Sequence, residues 1–84
     1  MTIQQVIDRW LESKPAKSHL SPAVGIPSIS TDGELLFSYD LEIGYTEEDG
    51  TKVVRTKRLR LFSRTTDRHI RTALYRGAKD EKEV

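Results

Sequence analysis

Leu35-Leu36-Phe37-Ser38-Tyr39-Asp40-Leu41-Glu42-Ile43-Gly44-Tyr45 is the stretch on which the fold turns. Leu35, Phe37, Tyr39, Leu41, Ile43 and Tyr45 are apolar or aromatic, and Ser38, Asp40, Glu42 and Gly44 stand between them, with Leu36 the exception. A period of two predicts one strand over 35–45 with its odd face buried and its even face wet. Glu47-Glu48-Asp49-Gly50-Thr51 follows as a hairpin loop. A two-residue Asp49-Gly50 turn would set Tyr39 against Arg60 and Leu41 against Arg58. A three-residue loop with Gly50 in the left-handed region sets Tyr39 against Leu59 and Phe37 against Leu61. The second register pairs apolar with apolar, and a slip of one residue would invert every side chain. It predicts a strand over Lys52–Phe62 and places Asp40 opposite Arg58 on the wet face.

Outward from this hairpin, Thr31-Asp32-Gly33-Glu34 reads as a tight turn. Ile26–Ser30 before it reads as a short strand, held to an edge by Pro27, which has no N–H to give a ladder. Gly44 inside the strand marks a bulge or a close backbone approach. Ile3, Val6, Ile7, Trp10 and Leu11 follow the spacing of one helix face, so a helix is expected over Ile3–Ser13, with Thr2 and Gln5 as a capping box and Pro15 beyond its end. Lys14–Gly25 is a connection containing Pro15 and Pro22. Ser63–Thr66 starts a second helix with Ile70, Ala73 and Leu74 as its apolar stripe and Gly77 as its stop. The expected fold is α+β, in the order α-β-β-β-α: a three-stranded antiparallel meander covered on one face by two helices. Residues 1–77 form the domain and 78–84 a frayed charged tail.

The 84 residues suffice for one domain with one modest core, which argues against a self-contained enzyme. The chain has no cysteine, which excludes disulfides, thiolate metal sites and thiol nucleophiles. No apolar run approaches a membrane span and the start lacks a secretory pattern, so a cytoplasmic location and no membrane partner are expected. No Gly-rich phosphate loop is present, and no cofactor is expected.

Charge is segregated along the chain. Residues 1–50 carry three basic and nine acidic residues, a net of −6, and residues 51–84 carry eleven basic and four acidic, a net of +7. Such a split either marks a surface for a polyanion or two halves that neutralise each other. Arg64, Arg68, Arg71 and Tyr75 share one stripe of the second helix, away from its apolar residues. Arg58 and Arg60 join them from the wet face of the third strand, and Arg76 from the helix end. Guanidinium forks suit phosphate, so these six arginines are the candidate contacts for nucleic acid or another partner. The plainer alternative is a solvated helix face whose arginines are taken up by Asp40, Glu42 and the acidic loop. His19 and His69 sit on different elements and make no recognisable metal site. Ser63, Asp67 and His69 resemble a catalytic triad only in composition, because closeness in sequence is not triad geometry.

Two resemblances meet these residues. Ser30-Thr31-Asp32-Gly33-Glu34-Leu35-Leu36-Phe37-Ser38-Tyr39, then Ile43, then Phe62-Ser63-Arg64-Thr65-Thr66-Asp67-Arg68-His69, resembles a pattern in small uncharacterised proteins encoded by bacteriophages and related elements. It implies a small accessory protein and makes Thr65, Thr66 and His69 the recurring helix start, with threonine capping the helix and histidine tying helix to sheet. The α-β-β-β-α order with Ser63-Arg64 leading into a basic helix is similar to a double-stranded-RNA-binding domain. That resemblance implies phosphate contacts at Arg64 and Arg68, although the Lys-Lys-x-x-Lys cluster of that family is missing. The expected function is a non-enzymatic accessory protein that contacts nucleic-acid backbone through the third strand and second helix. The alternative is a protein-interaction module, regulating or inhibiting a host or viral protein through a sheet edge or the arginine face.

Overall fold

The computed structural model describes residues 1–20 and 24–84, which leaves Pro22 outside the described residues. Helix α1 (Ile3–Leu11) begins with the expected reciprocal cap: Thr2 Oγ1 accepts from the Gln5 N–H and Gln5 Oε1 accepts from the Thr2 N–H. It stops before Pro15 acts. Ser13 takes a φ of 61°, and the Lys14 and Ser13 N–H groups donate back to the Arg9 and Trp10 carbonyls, which closes the last turn. Val6, Ile7 and Trp10 are fully buried, while Ile3 and Leu11 flank them half-buried.

Among the described residues, six short strands follow in chain order within one mixed sheet. They are β1 (Ala16–Lys17), β2 (Ile29–Thr31), β3 (Leu36–Ser38), β4 (Leu41–Thr46), β5 (Lys52–Val54) and β6 (Lys79–Asp80). The first five pair antiparallel with their sequence neighbours, and β6 pairs parallel with β5. The α+β layering stands, but the three-stranded meander does not: the sheet has twice the strands, and β2 is interior, with Pro27 outside it in an isolated bridge to Leu20.

The alternating stretch 35–45 is two strands, not one. Tyr39 and Asp40 form a two-residue turn in which Ser38 pairs with Leu41, and Tyr39 takes a φ of 56°. The turn exchanges the two parities. In β3 the even residues Leu36 and Ser38 are buried, and Phe37 and Tyr39, expected in the core, are only half-buried. A bulge then shifts the register so that Leu36 faces Gly44 while Phe37 faces Glu42. It brings Ile43 and Gly44 inside together, because a bulge sets two residues against one.

The register across the next hairpin is the expected one. Gly44 pairs with Val54, Tyr45 with Val53 and Thr46 with Lys52, while Gly50 at φ 91° completes the three-residue loop. The pairing ends at Val54, however. Thr56–Arg58 is a 3-10 turn followed by further turns, so no strand reaches Phe62, and Asp40 does not face Arg58. The run Thr56-Lys57-Arg58-Leu59-Arg60-Leu61 carries the alternation of a strand, but β4 begins at Leu41, which this register sets against Lys57, and offers no edge to the residues beyond it.

Helix α2 (Arg64–Tyr75) starts at Ser63, whose Oγ accepts from the Thr66 N–H. It ends with Arg76 as cap and Gly77 beyond it, where the Ala78 N–H donates to the Ala73 carbonyl. The segment 78–84 does not fray. Ala78 is buried, β6 lies against β5, and a 3-10 turn at Glu81–Glu83 is capped by Asp80. The Thr56 hydroxyl donates to Asp80 and the Lys57 N–H to Glu81, so the tail seals the flank of β5.

One core holds the layers together. Val6, Ile7 and Trp10 of α1 and Ile70 and Ala73 of α2 pack on Ile29, Leu36, Ile43 and Val54 of the sheet. Each large apolar side chain among them contributes about 1.5–3 kcal/mol when fully buried. Trp10 lies against Gly44 so closely that a Cβ there would stand 2.8 Å from its ring, and its Nε1–H donates to the Glu34 carbonyl at 2.8 Å.

Candidate functional site: the arginine stripe of helix α2

The outer face of α2 is set by what its inner face must do. Thr66, His69, Ile70 and Ala73 turn inward, which sends Arg64, Arg68, Arg71 and Tyr75 outward at helical spacing. All four are exposed, Tyr75 at 88%. Arg64, Asp67, Arg68, Arg71 and Thr72 line a shallow recess on this face, and Arg68 and Thr72 also border a second one with Thr2, Ile3 and Gln4 of α1.

Among the described residues, the ion pairs of the molecule lie elsewhere. Arg55 donates to Glu42 at 2.5 Å and stands 4.0 Å from Glu81, while Arg76 holds Asp8 of α1. Lys52 is buried, its ammonium donating to the Gly33 carbonyl and the Thr46 hydroxyl, and desolvation holds its pKa below the ordinary lysine value. Asp67 is the one acid in the recess. Its Oδ1 accepts from the Arg60 backbone N–H, and as a first-turn residue it suits the positive helix end.

The six candidate arginines therefore divide. Arg64, Arg68 and Arg71 come together on one face, and none of them is in an ion pair among the described residues. Arg76 does not join them, because Asp8 draws its guanidinium across to α1. Arg58 belongs to the 3-10 turn, half-buried, with a buried Nε that has no hydrogen-bond partner among the described residues. Arg60 occupies a turn at φ 67° and is exposed. Neither Arg58 nor Arg60 stands on a strand.

Beneath the stripe the three helix-start residues take different positions. Thr65 is half-buried, while Thr66 and His69 are buried. The Ser38 hydroxyl lies 2.8 Å from His69 Nδ1 and 3.0 Å from Thr66 Oγ1, and Thr66 Oγ1 accepts from the Ser63 hydroxyl at 3.2 Å. Thr66 and His69 on the helix thus close on Ser38 in β3, while the N-cap Ser63 holds Thr66. Burial, with a smaller effect from neighbouring Arg68, lowers the His69 pKa to about 4. The triad on paper is not assembled: His69 faces Ser38 rather than Ser63, and Asp67 faces Arg60. Ser38 itself is buried, so this trio pegs helix to sheet.

Sequence reasoning missed Ser38, because its even position places it on the wet side of a continuous strand. It also missed Leu61 and Phe62, taken as the end of a strand. They are 68% and 55% exposed in the turn that leads into Ser63. No group of three or more metal-ligating side chains converges among the described residues, and no helix among them is long and apolar enough to cross a membrane. Comparison of the chain with known protein families, with curated proteins and with solved structures gave no match.

Proposed function

We propose that this chain is a small non-enzymatic accessory protein, of the bacteriophage type its sequence pattern resembles, that grips nucleic-acid backbone through Arg64, Arg68 and Arg71. The observation that supports this reading is that three guanidinium groups stand on one helix face with no ion-pair partner among the described residues, although the amino-terminal half of the chain is strongly acidic. Glu42 and Asp8 are taken up by Arg55 and Arg76, and Asp40 stays in its turn. Long unpaired arginines on a rigid helix form an electrostatic footprint for phosphates, with affinity that does not depend on base sequence.

Fluorescence anisotropy with labelled DNA and RNA over a salt series tests the proposal. Three neutralised phosphates give a slope of log affinity against log salt of about −2 to −3. The Arg64→Ala, Arg68→Ala and Arg71→Ala changes together should abolish binding at low salt. The circular dichroism spectrum should not change, since all three side chains are exposed. Absence of binding to any nucleic acid at low salt, or binding indifferent to the triple change, overturns the proposal.

A further inference from the structure

Resting on the polyanion reading above, we infer that the ligand of this face is a single strand, with its phosphates on the arginine stripe and unstacked bases on Phe62 and Tyr75. The chain has six aromatic side chains. Trp10 is buried, and Phe37, Tyr39 and Tyr45 are half-buried. The two that are exposed, Phe62 and Tyr75, flank the same three arginines: Phe62 directly before the N-cap Ser63, Tyr75 in the last turn of α2.

The placement has physical consequences. Arg64, Arg68, Arg71 and Tyr75 fall on one line of the helix, and Arg64 to Tyr75 spans about 16 Å along its axis, room for a few nucleotides. In a duplex the base faces are covered by their neighbours, so exposed rings gain nothing from it beyond contact with the sugar edge. In a single strand every base offers a free π-face, and a ring beside a row of cations gains stacking and phosphate contact together. Stacking is tolerant of base identity, so the site would show no strong sequence preference. Tyr75 and Phe62 contribute little to the fold, since both stand outside the core cluster.

The test compares a labelled oligothymidine and a labelled oligouridine with a blunt duplex of equal length, all against the full chain. The single strands should bind tighter than the duplex. Phe62→Ala and Tyr75→Ala should each weaken single-strand binding by roughly 5- to 150-fold, leave the salt slope unchanged, and leave duplex binding nearly untouched. Phe62→Tyr and Tyr75→Phe should restore it. The arginine changes, by contrast, should lower the slope by about one for each phosphate no longer engaged. A duplex bound as tightly as the single strands, with both aromatic changes silent and the arginines still required, overturns the single-strand inference and leaves the polyanion reading standing. Binding of neither ligand, or capture of a protein partner after nuclease treatment without any oligonucleotide binding, overturns both.

Discussion

His69 is fully buried with one ring nitrogen on Ser38 and the other, Nε2, without a partner among the described residues. A buried polar atom left unpaired costs about 1–3 kcal/mol, and charging the ring in that site would cost more. Its pKa therefore lies near 4 in the folded chain, against about 6.5 when unfolded. Because the folded value is depressed, the unfolded chain takes up the proton first. The contribution of neutral His69 is intact above pH 6.5, declines as pH falls, and is gone below about 4, a loss on the order of 3 kcal/mol. Denaturant midpoints measured across that window should fall steadily in the wild type, and His69→Gln should flatten the decline. A second residue-scale prediction concerns Gly44. Its backbone does not need glycine, since its φ is not positive, but a Cβ would meet the Trp10 ring. Gly44→Ala should cost about 1–3 kcal/mol by overpacking, read as a lower thermal midpoint, and Trp10→Phe should recover part of it. Gly44 was readable in the sequence, as a glycine interrupting a strand pattern. Ser38 was not, because its burial depends on a turn one residue later.

Turns and edges decide what could be read at the level of elements. Both helices were readable, since α1 carries a full apolar stripe, α2 a narrower one at Ile70, Ala73 and Leu74, and their caps use Thr2 and Ser63. The break at Tyr39–Asp40 was hidden, because a reversal at φ > 0 is announced by Gly or Asn and here falls on Tyr39. The alternation of 35–45 runs unbroken through the sequence, although the turn exchanges the buried parity and the bulge brings Ile43 and Gly44 inside together. The strand β6 was hidden for another reason: two residues carry no periodicity, and Lys79-Asp80 looks like any solvated tail. The sealing role of that tail is testable. Deleting residues 79–84 removes the partners of Thr56 and Lys57 and uncovers β5. Hydrogen bonds worth about 1 kcal/mol each would go with it, and stability should fall by about 2–3 kcal/mol. Amide exchange at Val54 and Lys57 should accelerate, and unchanged exchange would show that the tail secures nothing.

At the scale of the molecule, the extents of 36 × 27 × 18 Å describe one sheet with one helix layer. The two-layer α+β class could be read from the helix stripes and the acidic hairpin loop, and the strand count could not. The segregation of charge was visible in the sequence. Whether it cancels depends on pairings such as Arg76 with Asp8, sixty-eight positions apart, which no local pattern records. The candidate site was half readable for the same reason. The stripe Arg64–Arg68–Arg71 follows from helical spacing, whereas the departure of Arg58, Arg60 and Arg76 follows from tertiary contacts.

Strands β1 to β5 each bond to the next in sequence, and only β6 returns from across α2. Neighbour-to-neighbour pairing asks for short loop closures, which cost little entropy and form early. A nascent chain leaving the ribosome can therefore zip the sheet from its first hairpin onward, and the step that waits for α2 to be made is the docking of Lys79–Asp80 beside Lys52–Val54.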